Sequence, residues 1–199
     1  CGVTTGVGSV IHTAKVEPGA TVAVLGCGGI GLSAINGAAI AGAGRIIAVD
    51  MVRAKLELAR KFGATDVVNA KEKDAVMEVI EMTGGGVHYS FEAVGLKTTT
   101  EQAFQMLRRG GTATVIGMIP VGTMVELHGV DFLSEKKLQG SRMGSNHFRV
   151  DMPRFVDFYL AGKLHLDDMI SAHVKLEDVN DAFRQLETGE VARNIIMFD

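Results

Sequence analysis

Cysteine is scarce in this chain of 199 residues: there are two, Cys1 and Cys27. Two thiols make no disulfide framework, and they fit a reducing, cytoplasmic setting. An excess of charge of one sign is also missing. Twenty Lys and Arg face 23 Asp and Glu, for a net charge of −3, and no basic stripe runs along the chain, which argues against nucleic acid as a partner. No basic segment precedes an apolar core at the amino terminus, so no secretory signal is read there. The uncharged run of residues 18–44 is broken by glycines and Asn36, and its strand–turn–helix pattern argues against a membrane span. Tandem repeats and low-complexity tails are absent too. What remains is 47% apolar, the composition of a soluble globular protein, long enough for one large domain or one domain and a fraction. The chain opens Cys1-Gly2-Val3-Thr4-Thr5 without an initiator Met, in what reads as a helix already under way, and is expected to be a piece of something longer.

Strand signals fall near residues 21–25, 45–49, 66–68, 87–91, 111–116 and 137–140. They alternate with helix signals near 3–14, 29–42, 52–61, 72–82, 97–108, 150–161 and 178–187. Short apolar strands separated by helices predict a parallel sheet covered on both faces. The expected fold is α/β: a doubly wound, six-stranded Rossmann sheet of order 3-2-1-4-5-6. The pattern degrades after about Phe148, where a helix, a charged loop, a short strand, a helix and a last strand (194–198) follow. Residues 1–147 are therefore read as a dinucleotide-binding domain and 148–199 as elements of a second domain whose main body lies elsewhere. The last helix carries Val179, Ala182, Phe183 and Leu186 at helical spacing.

The most informative stretch is Thr21-Val22-Ala23-Val24-Leu25-Gly26-Cys27-Gly28-Gly29-Ile30-Gly31, a buried strand running into G-x-G-x-x-G and a helix start. Gly26 allows the tight turn, Gly28 lets a pyrophosphate approach the backbone, and Gly31 lets the helix pack against the sheet. Free amides at the helix start then face the phosphates. Asp50, at the end of the second apolar strand, is placed to accept hydrogen bonds from the adenine-ribose hydroxyls and to repel a 2′-phosphate, which favours NAD over NADP. Arg53, close behind, pulls the other way. A glycine-rich turn that binds nothing is the plain alternative; the position of the acid speaks against it.

These residues resemble the zinc-dependent alcohol dehydrogenases of the medium-chain dehydrogenase/reductase superfamily. The resemblance runs from Cys1-Gly2-x-Thr4-Thr5-Gly6-x-Gly8 through Lys15-Val16-x-Pro18-Gly19, the glycine turn, Ala48-Val49-Asp50, Ala59-Arg60-Lys61-Phe62-Gly63-Ala64-Thr65 and Phe91-Glu92-Ala93-Val94-Gly95 to Gly189-Glu190-x-x-Arg193. It implies hydride transfer between an alcohol and NAD, with a zinc that polarises the alcohol oxygen. It further implies that Cys1 is one ligand of that zinc, while the other ligands and the proton relay belong to a GroES-like catalytic domain outside these residues. One thiolate cannot complete a tetrahedral site, so this stretch is expected to hold no zinc tightly, to contain no catalytic residue and to turn over no alcohol alone. Thr5 and Ile30 would pack on the nicotinamide, and Lys55 would lie near the adenosine ribose beside Asp50. Gly29 belongs to the phosphate turn. Ala93 and Val94 would border the cofactor, Ile116, Gly117 and Met118 would offer backbone groups to the carboxamide, and Arg193 would reach the pyrophosphate. The family implies a homodimer or homotetramer, with Met124–His128 as the candidate pairing edge, and a small alcohol or aldehyde substrate. A zinc-independent quinone or enoyl reductase of the same superfamily, or a non-catalytic nucleotide-binding module, are the alternatives.

Three departures and two decoys complete the reading. His88 stands where the family more often has Asp, and reads as a satisfied or surface histidine. Cys27, near a helix start, reads as a thiol that could be activated. The Arg142-Met143-Gly144-Ser145-Asn146-His147 loop differs from the usual apolar pattern and bears on how firmly the cofactor is retained. Tyr159 and Lys163, with Ser145 upstream, mimic the short-chain dehydrogenase set, but the glycine spacing does not fit that family. His165 and His173 near Asp167 and Asp168 lack regular metal-ligand spacing and read as a solvated loop.

Overall fold

The computed structural model describes residues 1–188 and 191–198. The helix expected over 3–14 forms in two parts. α1 (Gly2–Gly8) is a regular helix, and Ser9–Ala14 continues it as a wider π-helix ending at Lys15 in the left-handed region, φ 54°. The Ser9 hydroxyl donates to the Thr5 carbonyl at 2.6 Å, a back-bond that competes with the regular ladder where the helix widens.

β1 (Thr21–Leu25), β2 (Arg45–Asp50), β3 (Asp66–Asn69), β4 (Val87–Glu92), β5 (Leu107–Val115) and β6 (Lys137–Gly140) form one sheet in the order β3-β2-β1-β4-β5-β6, every pair parallel. The crossover helices are α2 (Gly29–Ile40), α3 (Arg53–Lys61), α4 (Ala75–Thr83) and α5 (Lys97–Gln105). Successive strand residues point to opposite faces. Val22, Val24, Ile46, Ala48 and Phe91 meet Leu32, Ile35 and Ala38 of α2 and Leu56 and Ala59 of α3. Ala23, Leu25, Ile47 and Val49 meet Ala75 and Val79 of α4 and Ala103 and Phe104 of α5. The sheet is thus doubly wound, as the sequence predicts. α2 is apolar around its circumference because it is sandwiched: a Cβ at Gly6 of α1 would lie 2.4 Å from Ser33 Cβ, so the two helices meet at the backbone.

Two helix limits differ from expectation by three residues. α4 starts at residue 75, where the Asp74 carboxylate caps it by accepting from Met77 N at 3.0 Å. α5 stops at Gln105, and β5 takes over at Leu107 through an irregular register beside Val87 and Tyr89. Gly111 passes so close to β4 that a Cβ there would lie 2.9 Å from Val87 O, which explains why a glycine pair sits at this crossing. Met124–His128 joins no strand among the described residues; β6 is the outer strand on that side.

Beyond residue 147 the chain forms α6 (Phe148–Leu160), β7 (Ala172–Lys175), α7 (Val179–Thr188) and β8 (Asn194–Met197), with β7 and β8 paired in a separate parallel ribbon. Phe155 and Leu164 pack on Val7 of α1. The other face of α6 leaves Val150, Met152, Val156 and Leu160 exposed. On α7 only Ala182 of the expected stripe is buried, while Phe183 and Leu186 are exposed. No helix among the described residues is long and apolar enough to cross a membrane.

Candidate functional site

The carboxyl ends of β1, β2, β4 and β5 converge with the start of α2, and the site is built there. Gly26 leaves β1 at φ +90°, and its amide donates to Val49 O at 2.8 Å, tying the turn to β2. On the protein side the turn is closed: a Cβ at Gly31 would lie 1.7 Å from Gly26 O, and one at Gly26 would lie 2.6 Å from Val94 Cγ2. On the outer side it is open, since a Cβ at Gly28 would have no heavy atom within 4 Å. Leu32 is the first residue of α2 whose amide bonds back into the helix, to Gly28 O at 2.8 Å, which leaves the amides of Gly29, Ile30 and Gly31 without helical acceptors. Open backbone, unpaired donors and a helix N-terminus together make a concavity with the chemistry to accept an anion.

Asp50 does more than the sequence suggests. Its Oδ2 accepts from Cys27 N at 2.7 Å and its Oδ1 from Val52 N at 2.9 Å. The carboxylate therefore clamps the glycine turn from β2, and each oxygen keeps lone-pair capacity for a ribose hydroxyl. Lys55 is half-buried and close enough to act electrostatically on Cys27. Arg53 lies 3.7 Å from Glu72, in a cleft also lined by Glu57 and Glu78. The Glu72 carboxylate thus competes for that exposed guanidinium with any 2′-phosphate.

Cys27 corrects the expectation of an activated thiol. It is buried, its Sγ is 3.9 Å from Val49 O, and burial first, then the Asp50 carboxylate, pushes its pKa far above the ordinary thiol value.

At the far end of the site, Ala93, Val94 and Gly95 leave β4, and Ile116, Gly117 and Met118 leave β5. The two strand ends interlock: Ile116 N and Gly117 N donate to Glu92 O at 2.8 and 3.0 Å. A Cβ at Gly95 would lie 2.8 Å from Met118 O. Val94 and Met118 are exposed, whereas Ile116 packs partly on the core. Glu92 is a residue the sequence reading passed over. It is fully buried, and its Oε1 accepts from Val94 N, Gly95 N and Thr99 Oγ1 at 2.8, 2.7 and 2.7 Å. An acidic residue closing an otherwise uncharged buried strand is the signal that would have flagged it.

Thr5 is buried, with its hydroxyl 3.7 Å from Cys1 Sγ. Ile30 is half-buried at the head of α2. The Ala192–Arg193 segment runs past the glycine turn: Ala192 O is 3.5 Å from where a Gly29 Cβ would be, and Arg193 Nη2 is 2.7 Å from the corresponding point at Gly2. Gly189 and Glu190 of the closing motif lie outside the described residues. Cys1 is exposed, and among the described residues no group of three or more His, Cys, Asp or Glu is placed to hold a metal. Cys1 therefore stands there as a single exposed thiol, with no second described ligand placed beside it.

The decoys separate. Tyr159 donates to Asp167 Oδ2 at 2.8 Å, and that bond raises its pKa, the reverse of an activated phenol. Ser145 instead pairs with Thr13, at 2.8 Å. His88 accepts from Thr21 N at Nδ1, 3.0 Å, and lies 2.9 Å from Arg108 through Nε2, at the opposite end of the sheet from the turn. Burial, then Arg108, lowers its pKa. The His165 ring is 3.2 Å from Asp168 and packs edge-on to Phe62.

Comparison with known proteins agrees with this geometry. Residues 29–161 match the family described as zinc-binding dehydrogenase. The chain is 41% identical over 198 residues to a probable S-(hydroxymethyl)glutathione dehydrogenase 1 of Schizosaccharomyces pombe, covering 98% of this chain and 52% of that protein. The benzyl alcohol dehydrogenase of Acinetobacter calcoaceticus superposes with a TM-score of 0.96 at 34% identity, over 100% of this chain and 55% of that one. A zinc-binding dehydrogenase of Sinorhizobium meliloti, solved with NADP bound, gives 0.83 at 29% identity, over 90% and 52%. The chain spans about half the length of these relatives. From the six-stranded order, the glycine turn clamped by Asp50 and the family match, the chain belongs to the zinc-binding dehydrogenases, within the medium-chain alcohol dehydrogenase group.

Proposed function

We propose that residues 1–147 are the NAD-binding domain of an alcohol dehydrogenase, and that residues 148–199 complete a catalytic domain built mostly by other residues. The observation that carries this reading is the glycine turn, shut against the protein at Gly31 and open at Gly28. The amides of Gly29, Ile30 and Gly31 hold the diphosphate, with Gly26 and Gly28 shaping the approach and Arg193 supplying a cation from the segment beside the turn. Asp50 accepts from the adenine ribose, with Lys55 beside it. Thr5 and Ile30 pack on the nicotinamide, Ala93 and Val94 border it, and Ile116, Gly117 and Met118 present backbone groups to its carboxamide. NAD, when bound, supplies the hydride acceptor; this chain binds and orients it. Cys1 contributes one ligand to a catalytic zinc whose remaining ligands come from outside these residues.

The substrate is a small alcohol or aldehyde, the setting cytoplasmic, and the assembly a homodimer or homotetramer in which Met124–His128 of one copy pairs with another. Two features support that last reading: the segment has no regular structure and no ladder partner among the described residues, and it is tethered in place by Glu126 N donating to Glu101 Oε1 at 2.8 Å. The match to zinc-binding dehydrogenases and the exposed Cys1 favour this reading over a zinc-independent reductase or a non-catalytic module. Calorimetry of the full chain with NADH and with NADPH tests it. Tighter binding of NADH is expected; a preference for NADPH removes the Asp50 argument, and binding of neither removes the cofactor site.

A further inference from the structure

Glu92 combines three properties that position alone does not require. Its side chain is fully buried, one oxygen is saturated, and the other has no partner among the described residues. Oε1 collects the amides of Val94 and Gly95 and the Thr99 hydroxyl. Oε2 faces Gly117, where a Cβ would lie 2.6 Å from it. Among the described residues no Lys, Arg or His forms an ion pair with it. Nearby Lys97 is engaged by Glu126 and Glu101 instead. A carboxylate without a counter-ion therefore sits directly beneath the loop that leaves β4 and against the glycine that leaves β5. A neutral group could hold two amides and a hydroxyl as well, and burying an unpaired charge is costly.

We propose that the buried Glu92 carboxylate, held between the Ala93–Gly95 loop and Gly117, biases the cofactor site toward the oxidised nicotinamide. This rests on the reading that these two strand ends border the nicotinamide. The ring is positively charged in NAD+ and neutral in NADH, so a fixed anion behind the site favours the first and is indifferent to the second. Protein atoms separate the charges, so salt screens them weakly. At an effective dielectric of about 20, a unit pair keeps a tenfold effect out to roughly 12 Å. Glu92 is a positioning residue through its Oε1 bonds, and its charge sets the ratio of the two affinities.

The test is titration of the full chain with NAD+ and with NADH, reporting Kd(NAD+)/Kd(NADH). Glu92→Gln preserves shape and the Oε1 acceptor but removes the charge; the ratio is expected to rise about tenfold. Thr99→Lys reaches the same point from the half-buried helix surface, setting an ammonium against Oε1, and the ratio is expected to rise again. Thr99→Val removes one donor and keeps the charge; both Kd values are expected to move together. A purely structural role would shift both dissociation constants equally in every variant. A folded, dinucleotide-binding Glu92→Gln or Thr99→Lys whose ratio stays within about twofold of wild type overturns the proposal. A wild-type chain that binds neither dinucleotide overturns it through the functional reading beneath it, and the wild-type titration alone separates that failure from the other.

Discussion

Replacing Asp50 with Ala tests the site most sharply, because two accounts of this residue diverge. If the carboxylate only touches the ribose, its removal relaxes the choice between NADH and NADPH and leaves the fold alone. The structure leads elsewhere. Asp50 holds the amides of Cys27 and Val52 at 2.7 and 2.9 Å, and the first of these belongs to the glycine turn proposed to hold the diphosphate. Hydrogen bonds to a charged group contribute about 1.5–3 kcal/mol each. Losing both, with partial access of water to the freed amides, costs about 3 kcal/mol of stability, or a fall of roughly 6–12 °C in Tm for a chain of this size. NADH affinity falls about 30-fold or more, since the ribose acceptor and the turn geometry go together. NADPH does not take over, because it needs the same turn. Thermal unfolding followed by circular dichroism and calorimetry with both coenzymes provide the readings. A Tm within about 1 °C of wild type, together with NADPH binding tighter than NADH, would refute the clamp.

Other outcomes follow from features at a distance from that clamp. Cys1 is exposed and Cys27 buried with its pKa pushed far up, so a thiol reagent should label Cys1 in the native protein and reach Cys27 only on unfolding; equal native labelling rates in peptide mapping would contradict the buried assignment. Asp66 is held down to about 2, first by its hydrogen bond from Arg45 at 2.8 Å, with Thr65 helping. A depressed carboxylate contributes stability above its unfolded value and loses it as pH falls toward the folded one, so the stability gap between wild type and Asp66→Asn, about 1 kcal/mol at pH 7, should persist down to about pH 4 and close between about pH 4 and 2. A gap independent of pH in denaturant titrations would remove the ion pair as its cause. Val125→Pro, in the segment offered for pairing between copies, should convert an oligomeric wild type to a smaller species in light scattering; an unchanged mass would exclude that segment.

The inner strands were legible because they are short apolar runs bounded by turn residues; β6, with Leu138 as its one apolar residue, was placed by the alternation of strands and helices. The glycine turn was legible because its positions meet backbone requirements that few residues satisfy, whereas the hydrogen bonds from Cys27 N and Val52 N to Asp50 were not. Where side chains bond to the backbone locally, legibility failed. The Ser9 hydroxyl shifts α1 into a wider helix, and Asp74 starts α4 three residues late, neither visible in hydrophobic spacing. Glu92 was quoted within a motif, yet its function as an acceptor for Val94 and Gly95 depends on the loop folding back over it, which strand periodicity does not encode. Cys27 was misjudged because proximity to a helix start in sequence says nothing about which way the thiol points. Helical spacing located the stripe of α7, but spacing does not say what covers it, and Phe183 and Leu186 lie exposed among the described residues.

The rim of the sheet opposite the glycine turn is fastened by its own contacts. There Arg45 joins Asp66 and reaches the Met82 carbonyl, and His88 takes the Thr21 amide. None of these groups is among the residues assigned to the coenzyme. Resilience to heat or acid can therefore drift along one rim while coenzyme handling is tuned along the other. An engineer seeking a hardier enzyme would begin at Arg45, Asp66 and His88 and leave the loops after β1, β2, β4 and β5 alone.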